Sequence, residues 1–126
     1  MNSGPAVSET FSKDDRLRKR REFEECYASG VRVSGRHVQV FLLADSSAGR
    51  PRLGISVPRR VGTAVTRNRV RRRIREVFRR SRALFGDTAP HLVVNVRPSA
   101  AAADFSELSQ DYREAVTRGL SRLPRR

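Results

Sequence analysis

The sequence predicts an α+β fold in which helices pack against one mixed β-sheet. Alternating apolar and polar residues predict strands over residues 36–44, 52–57 and 91–97. Segments with apolar residues at helical spacing lie before, between and after these strands. Because one helical segment joins the last two strands, we expect a strand–helix–strand unit in the same sheet as the first strand.

The length and net charge of the chain limit which class of protein it can be. A chain of 126 residues fits one domain, and its net charge of +14, carried by 25 arginines and 2 lysines, favours a polyanionic partner. The single cysteine, Cys26, excludes an internal disulfide. No apolar run approaches the ~20 residues that cross a bilayer, and the start lacks a secretory pattern. We therefore expect a cytoplasmic protein without a membrane partner.

The first part of the chain predicts a disordered leader, a helix and a short extended segment. Residues 1–14 are small and polar with little pattern, which is typical of disorder. A helix is expected over residues 20–29, with Phe23, Cys26 and Tyr27 on its apolar face and Gly30 ending it. Residues 31–34 follow as a brief extended segment. The ordered domain is expected over residues 15–123, with a basic tail at 124–126.

The next two strands flank a loop-like segment at residues 45–51, which predicts an antiparallel hairpin between them. One face of the predicted sheet is aliphatic and should be the core side. Its members are Val38, Val40, Leu42, Leu53, Ile55, Val57, Leu92, Val94 and Val96. The other face carries Gln39, Phe41, Ser56, Asn95 and Arg97. That face is either simply solvated or a surface for unpaired nucleotides, on which an exposed aromatic would stack bases.

A long arginine-rich helix is expected from an N-cap at Thr63 to residues 85–86. Its apolar residues fall at i, i+4, i+7 and i+8, on one face of a helix. They are Val70, Ile74, Val77 and Phe78. From Arg59 to Arg82 there are eleven arginines and one acid, Glu76, an expected intrahelical partner for arginine. Any single arginine here fits a solvated face, but the set favours a track for phosphates. A last amphipathic helix, capped by Asp104 or Ser106, should reach residue 123.

Protein-borne catalysis is disfavoured by the residue types present. A two-metal site needs several convergent carboxylates, and the stretch of residues 46–86 holds only Glu76. His37 and His91 begin different strands and are expected as polar residues of the surface or cleft. Cys26 lies on an apolar helix face and is expected in the core.

Three motifs carry a resemblance to a known family. Residues 66–78 read TRNRVRRRIREVF, and residues 53–65 read LGISVPRRVGTAV. Arg16-Leu17, Glu22-Phe23 and the YASG of residues 27–30 precede them. Together, from about residue 16 to residue 122, these motifs resemble the bacterial ribonuclease P protein family. The resemblance implies an α-β-β-β-α-β-α two-layer sandwich with a left-handed β-α-β crossover, a fold shared with a domain of a small-subunit ribosomal protein.

The resemblance also implies a function. The chain would be the protein subunit of ribonuclease P, binding the catalytic RNA and the 5′ leader of precursor tRNA while the leader is removed endonucleolytically. The RNA would carry the chemistry and bind most of the Mg²⁺, so the protein would hold no catalytic residue. The free protein would be monomeric. The alternatives are a ribosomal or general RNA-binding structural protein of similar fold and, less favoured, a stand-alone ribonuclease.

Site residues follow from the resemblance position by position. The residues that would face RNA from the arginine-rich helix are Arg67, Asn68, Arg69, Arg71, Arg72, Arg75 and Arg79. Those that would line a leader cleft are Phe23, Tyr27, Gln39, Phe41, Ser56, Arg59 and Arg60. The family often has an apolar residue at the position of Gln39 and a tyrosine at that of Phe41, which affects the expected leader preference. No metal site is expected in the protein, and Asn68 is the one candidate ligand.

Overall fold

Three helices pack on a four-stranded sheet in the computed structural model, which describes residues 13–44 and 49–124. The helices are α1 (Arg20–Ser29), α2 (Ala64–Arg80) and α3 (Phe105–Arg122). The strands are β1 (Val31–Ser34), β2 (Val38–Leu43), β3 (Arg52–Ser56) and β4 (His91–Val96). This architecture confirms the predicted α+β class. The expected leader falls mostly outside the described residues, and Lys13–Asp15 forms a 3-10 turn.

The sheet order is β1-β2-β4-β3, with β3 and β4 parallel and the other pairs antiparallel. The predicted hairpin between β2 and β3 is therefore wrong, because β4 lies between them. In β4, the side chains of Leu92, Val93 and Val94 are all fully buried, so both of its faces need cover. A central position provides that cover, as it does for buried parallel strands in general. The hairpin in the structure joins β1 to β2.

The main core lies between the sheet and helices α2 and α3. The aliphatic sheet face meets the predicted stripe of α2, whose Val70, Ile74, Val77 and Phe78 are buried. Leu108 and Tyr112 of α3 complete this core. At Gly119 an added Cβ would lie 2.3 Å from Leu42 Cδ1, so the Leu42 side chain packs directly against the backbone of α3 at this glycine. The predicted core face of the sheet is confirmed.

Helix α1 packs on the opposite sheet face, where it forms a second, smaller core. Leu17, Cys26, Phe41 and Val93 are buried together there. Phe41, expected as an exposed aromatic, is only 7% exposed. That expectation was wrong because strand alternation reports which face a residue lies on, whereas α1 determines whether the face is open.

Capping side chains set the helix ends. Thr63 accepts a hydrogen bond from the Thr66 backbone N–H, as an N-cap does. Asp104, rather than Ser106, caps α3 in a reciprocal capping box with Glu107. Helix α2 ends at Arg80, earlier than predicted, since Ser81 leaves helical geometry and a 3-10 turn, Arg82–Phe85, follows. That turn places the Phe85 ring against the Phe78 ring, with the ring centroids 5.8 Å apart.

Asp111 of α3 anchors the β1–β2 turn. Its Oδ1 accepts the backbone N–H of Arg36 at 2.8 Å. Its Oδ2 accepts those of His37 at 2.7 Å and Val38 at 3.1 Å. One carboxylate thus satisfies three backbone donors between two strands, which holds α3 to the edge of the sheet. The helical pattern of α3 gave no sign of this role.

We expect Asp111→Asn to lower the free energy of unfolding by about 2 to 3 kcal/mol, because an amide NH₂ would then face backbone donors. Denaturant unfolding measures the change. Glu114→Gln on the same helix is the matched control, since Glu114 is exposed, and it should change stability by less than about 0.5 kcal/mol. Equal losses in the two variants would contradict the anchoring role.

Candidate nucleic-acid interface

One flank of α2 is bound to the rest of the protein through its arginines. Arg69 Nη2 donates to the Ala101 carbonyl at 3.3 Å, and Arg73 Nη1 donates to the Ala103 carbonyl at 3.0 Å. The Arg80 guanidinium lies 5.5 Å from the centre of the Phe105 ring. These contacts fix α2 against the segment that leads into α3. Arg69, expected to face RNA, thus directs one guanidinium nitrogen to the protein itself.

The other flank of α2 carries most of the remaining residues that were expected to face RNA. Arg72 is exposed and Arg75 is half-buried. Arg71 Nη1 donates to Asn68 Oδ1 at 3.0 Å, so these two side chains brace each other on the surface. At the start of the helix, Arg67 Nε donates to the Gly62 carbonyl at 3.3 Å. The expected RNA-facing residues other than Arg69 and Arg79 therefore cluster in the first three turns of α2. We call Arg67, Asn68, Arg71, Arg72 and Arg75 the arginine surface.

Glu76 neutralises charge at the end of the helix. Its carboxylate accepts hydrogen bonds from Arg79 and Arg80, the latter at 2.6 Å. The hydrogen bond from Arg79, followed by that from Arg80 and the charges of both, holds the pKa of Glu76 below its usual value despite some desolvation. Arg79 is consequently half of an ion pair, and the net positive charge is concentrated toward the start of α2.

Like charges converge beside the arginine surface. Burial, then the charges of Arg16 and Arg71, lower the pKa of Arg75 from its ordinary value. Arg16 comes from the segment before α1, which bridges to β3 at Leu53. Two distant segments thus bring positive charge to one place at an electrostatic cost that a bound polyanion would offset.

The donor set does not fit a metal ion held by the protein. Within residues 13–44 and 49–124, no group of three or more His, Cys, Asp or Glu side chains could hold one. Asn68 was the candidate ligand, but its Oδ1 already accepts a hydrogen bond from a cationic guanidinium. A carbonyl oxygen engaged in this way is a poor partner for Mg²⁺, which prefers several oxygen ligands.

A row of four uncharged polar side chains crosses the sheet on the α1 side. The β1–β2 register pairs Ser34 with Gln39, β2–β4 pairs Gln39 with Asn95, and β4–β3 pairs Asn95 with Ser56. Register partners lie side by side on the same face. Gln39 Nε2 donates to Ser34 Oγ at 3.1 Å, which confirms that these two side chains touch. Three strand spacings of ~4.8 Å make this polar row about 14 Å long.

Helix α1 forms one wall beside the polar row. Tyr27 is 41% exposed, and its hydroxyl donates to Asn95 Oδ1 at 2.9 Å. Its ring packs edge-on against Phe41, with centroids 4.8 Å apart. Tyr27 is therefore the accessible aromatic beside the polar row, and the buried ring of Phe41 packs beneath it. Phe23 lies further back over Gly54, where an added Cβ would be 2.5 Å from the ring.

An ion pair sets the position of α1. Glu22 Oε2 accepts from Arg52 Nη1 of β3 at 2.8 Å, and its Oε1 accepts the backbone N–H groups of Arg18 and Lys19. Although partial burial opposes ionisation, the backbone hydrogen bonds and Arg52 together lower the pKa of Glu22 below its usual value. This tie fixes α1 to β3. We call the surface formed by Tyr27 of α1 and the polar row the groove.

The groove leads toward α2. Arg59 and Arg60 are exposed in a 3-10 turn that follows β3, and this turn packs against Pro98–Ala101. Arg97, also exposed, follows β4 at the same edge. Since α2 begins immediately after the turn, the arginine surface continues from this end of the groove. The sequence predicts Arg97 on the polar sheet face but does not assign it to the site.

Neither histidine is presented in the groove. His37 is 6% exposed and His91 is 7% exposed, so the expectation of surface or cleft histidines was wrong. His37 Nδ1 lies 2.8 Å from Ser99 Oγ, which links the residue before β2 to the turn after β4. Cys26 is fully buried, and burial raises the pKa of its thiol to about 11. A thiol with that pKa is a poor nucleophile at neutral pH.

Comparisons with known proteins point to one family. A family model for Ribonuclease P matches residues 11–119. The ribonuclease P protein component of Kocuria rhizophila is 40% identical over 107 residues, covering 85% of this chain and 93% of that protein. That of Acidothermus cellulolyticus is 39% identical over 98 residues, covering 77% and 81%.

Solved structures agree with the sequence relatives. The RNase P protein of Staphylococcus aureus superposes with a TM-score of 0.76 at 27% identity, covering 82% of this chain and 94% of that one. The RNase P protein of Thermotoga maritima gives a TM-score of 0.74 at 28% identity, covering 82% and 96%. Among the described residues, no helix has the length and apolar character needed to span a bilayer.

Proposed function

The chain belongs to the ribonuclease P protein family, the protein component of tRNA 5′ processing, and we propose that it binds two RNAs through adjoining surfaces. The arginine surface of α2 binds the catalytic RNA, and the groove beside α1 binds the 5′ leader of precursor tRNA. The observation that carries this proposal is the continuity of the two surfaces. The groove ends at Arg59 and Arg60, directly before α2 begins.

The groove suits a single strand because it combines one accessible aromatic with a neutral polar floor. Tyr27 offers a ring face or edge to a base, and stacking of this kind tolerates any sequence. Gln39 and Asn95 carry amides that pair with base edges exposed only in unpaired nucleotides. A duplex would hide those edges and present phosphates instead. An unpaired leader is therefore the expected ligand of the groove.

The arginine surface suits folded RNA because it follows one side of a helix. Arg72 and the braced Arg71 project from one turn and Arg75 from the next, each able to contact a phosphate as a charge-assisted donor. Contacts of this kind carry affinity and orientation rather than sequence information. They would hold the groove, and the leader within it, at a fixed position relative to the catalytic RNA.

We assign the chemistry and the Mg²⁺ ions to the RNA. Support comes from the described residues, in which the histidines and Cys26 are buried and no carboxylate cluster fits a metal. We further propose a monomeric protein, because its net charge of +14 opposes self-association. The free, buried Cys26 suits the reducing cytoplasm in which we place the protein.

The proposed function is tested by the affinity of the RNA subunit for precursor and mature tRNA, with and without this chain. We expect the protein to raise the affinity for precursor tRNA about tenfold, which is the gain expected from stacking one base. The affinity for mature tRNA should stay nearly unchanged. An equal gain for both tRNAs would contradict leader binding and favour a general RNA-binding protein.

A further inference from the structure

Arg32 is an exposed cation at the edge of the sheet that no expected site includes. The β1–β2 register pairs Arg32 with Phe41, and Phe41 pairs with Val93 of β4. This row lies next to the polar row and on the same face, because Arg32 and Ser34 are two residues apart on β1. The Arg32 side chain therefore stands beside the β1 end of the groove.

Helix α1 covers the rest of that row but leaves its β1 end open. Phe23 closes over Gly54 at the β3 end, and Cys26 is buried with Val93 in the middle. At β1 the row is not covered, since Arg32 and Ser34 are both exposed. The groove thus has an open mouth at β1, opposite the end that leads to α2.

The floor of the groove is neutral and exposed arginines lie around it, among them Arg97, two residues beyond Asn95 on the same face. The floor residues Ser34, Gln39, Asn95 and Ser56 carry no charge, whereas Arg59 and Arg60 stand at the β3 end. Several arginines of this chain are held by carboxylates or carbonyls, but within the described ranges Arg32 takes part in no such ion pair or side-chain hydrogen bond. A nucleic acid strand carries a phosphate at every nucleotide, so a strand that crosses the neutral floor toward β1 meets an exposed cation at Arg32.

We propose that Arg32 is a distal subsite of the groove that binds a backbone phosphate of the leader, beyond the nucleotides that lie over Tyr27 and the polar row. This inference rests on the proposed leader binding, and it adds how far and in which direction the leader runs across the sheet. The leader would run across the sheet from Arg59 and Arg60 at β3 to Arg32 at β1. Only leaders long enough to cross all four strands would reach it.

The test uses the reconstituted complex of RNA subunit and full chain, with precursor tRNAs whose leaders form a graded series of lengths. For the wild-type chain, affinity should rise with leader length in two stages, over the floor and then at Arg32. Arg32→Ala should abolish the second stage, a loss of about fivefold confined to long leaders, and reduce the log–log salt slope there by about 0.7. Arg32→Lys should retain the slope, since it keeps the charge.

Arg113→Ala is the matched control, because Arg113 is also exposed but lies on α3, which packs on the opposite face of the sheet. It should leave the length dependence intact. The same affinity loss with short and long leaders, or with mature tRNA, would overturn the subsite, and so would no loss at any length. These outcomes are separate from a failure of leader binding itself, in which the wild-type chain would show no dependence on leader length.

Discussion

Replacing Arg72 and Arg75 together by alanine is expected to weaken assembly with the catalytic RNA by about 10- to 100-fold at moderate salt. Both lie on the flank of α2 opposite Arg69 and Arg73, and Arg72 is exposed. Each lost phosphate contact removes about 0.7 to 0.9 from the log–log salt slope, so the double variant should lose about 1.4 to 1.8. Binding titrations over a series of salt concentrations measure both quantities.

Two control variants separate phosphate contacts from general charge and from folding. Arg113→Ala with Arg118→Ala removes the same charge from α3 and should change the slope little, since both residues are exposed on a different helix, outside the arginine surface. Arg73→Ala should lower thermal stability by removing the bond to Ala103 while leaving the slope nearly intact. An unchanged slope for the Arg72 and Arg75 double variant would refute the arginine surface.

Tyr27→Ala is expected to reduce the affinity of the assembled complex for precursor tRNA about tenfold without affecting mature tRNA. The residue offers the accessible ring of the groove, and truncating it removes both the stacking surface and the hydroxyl bonded to Asn95. Parallel binding measurements with the two tRNAs give the ratio directly. Equal losses for both would remove Tyr27 from the leader site.

Tyr27→Phe is the matched control for the ring. It keeps the edge contact to Phe41 and frees the Asn95 amide, so precursor affinity should stay within about threefold of wild type if stacking dominates. Phe41→Ala is unsuitable as a test of leader contact. That side chain is 7% exposed, and its removal should cost about 3 to 5 kcal/mol of stability and disturb α1 before any contact with RNA is measured.

Local pattern predicted most elements, because period and capping are properties of short segments. The predicted bounds of α1 match the structure, and the stripe of α2 is buried as its spacing indicates. Local pattern did not predict which strands are neighbours in the sheet. Alternation predicted the faces of β2 and β3, but only the burial of β4 on both sides reveals that it separates them.

The candidate site was less accessible to sequence reasoning because it depends on contacts between distant segments. A helical wheel places Arg69 on the charged side of α2 but contains no information about Ala101, whose carbonyl it meets. Tyr27 and Phe41 were both placed in the cleft, whereas their order of exposure is set by the packing of α1. Asp111 acts on backbone donors about 75 residues away in sequence, a distance that no local pattern reports.

Leader removal from precursor tRNA at limiting Mg²⁺ tests most directly whether the RNA carries the chemistry and the protein assists it. The reaction is measured with the chain alone, with the RNA subunit of the same genome alone, and with the two together. We expect little or no cleavage by the chain, slow cleavage by the RNA, and a large enhancement when both are present. Cleavage by the chain alone, or no enhancement of the RNA-catalysed reaction, would contradict this division of roles.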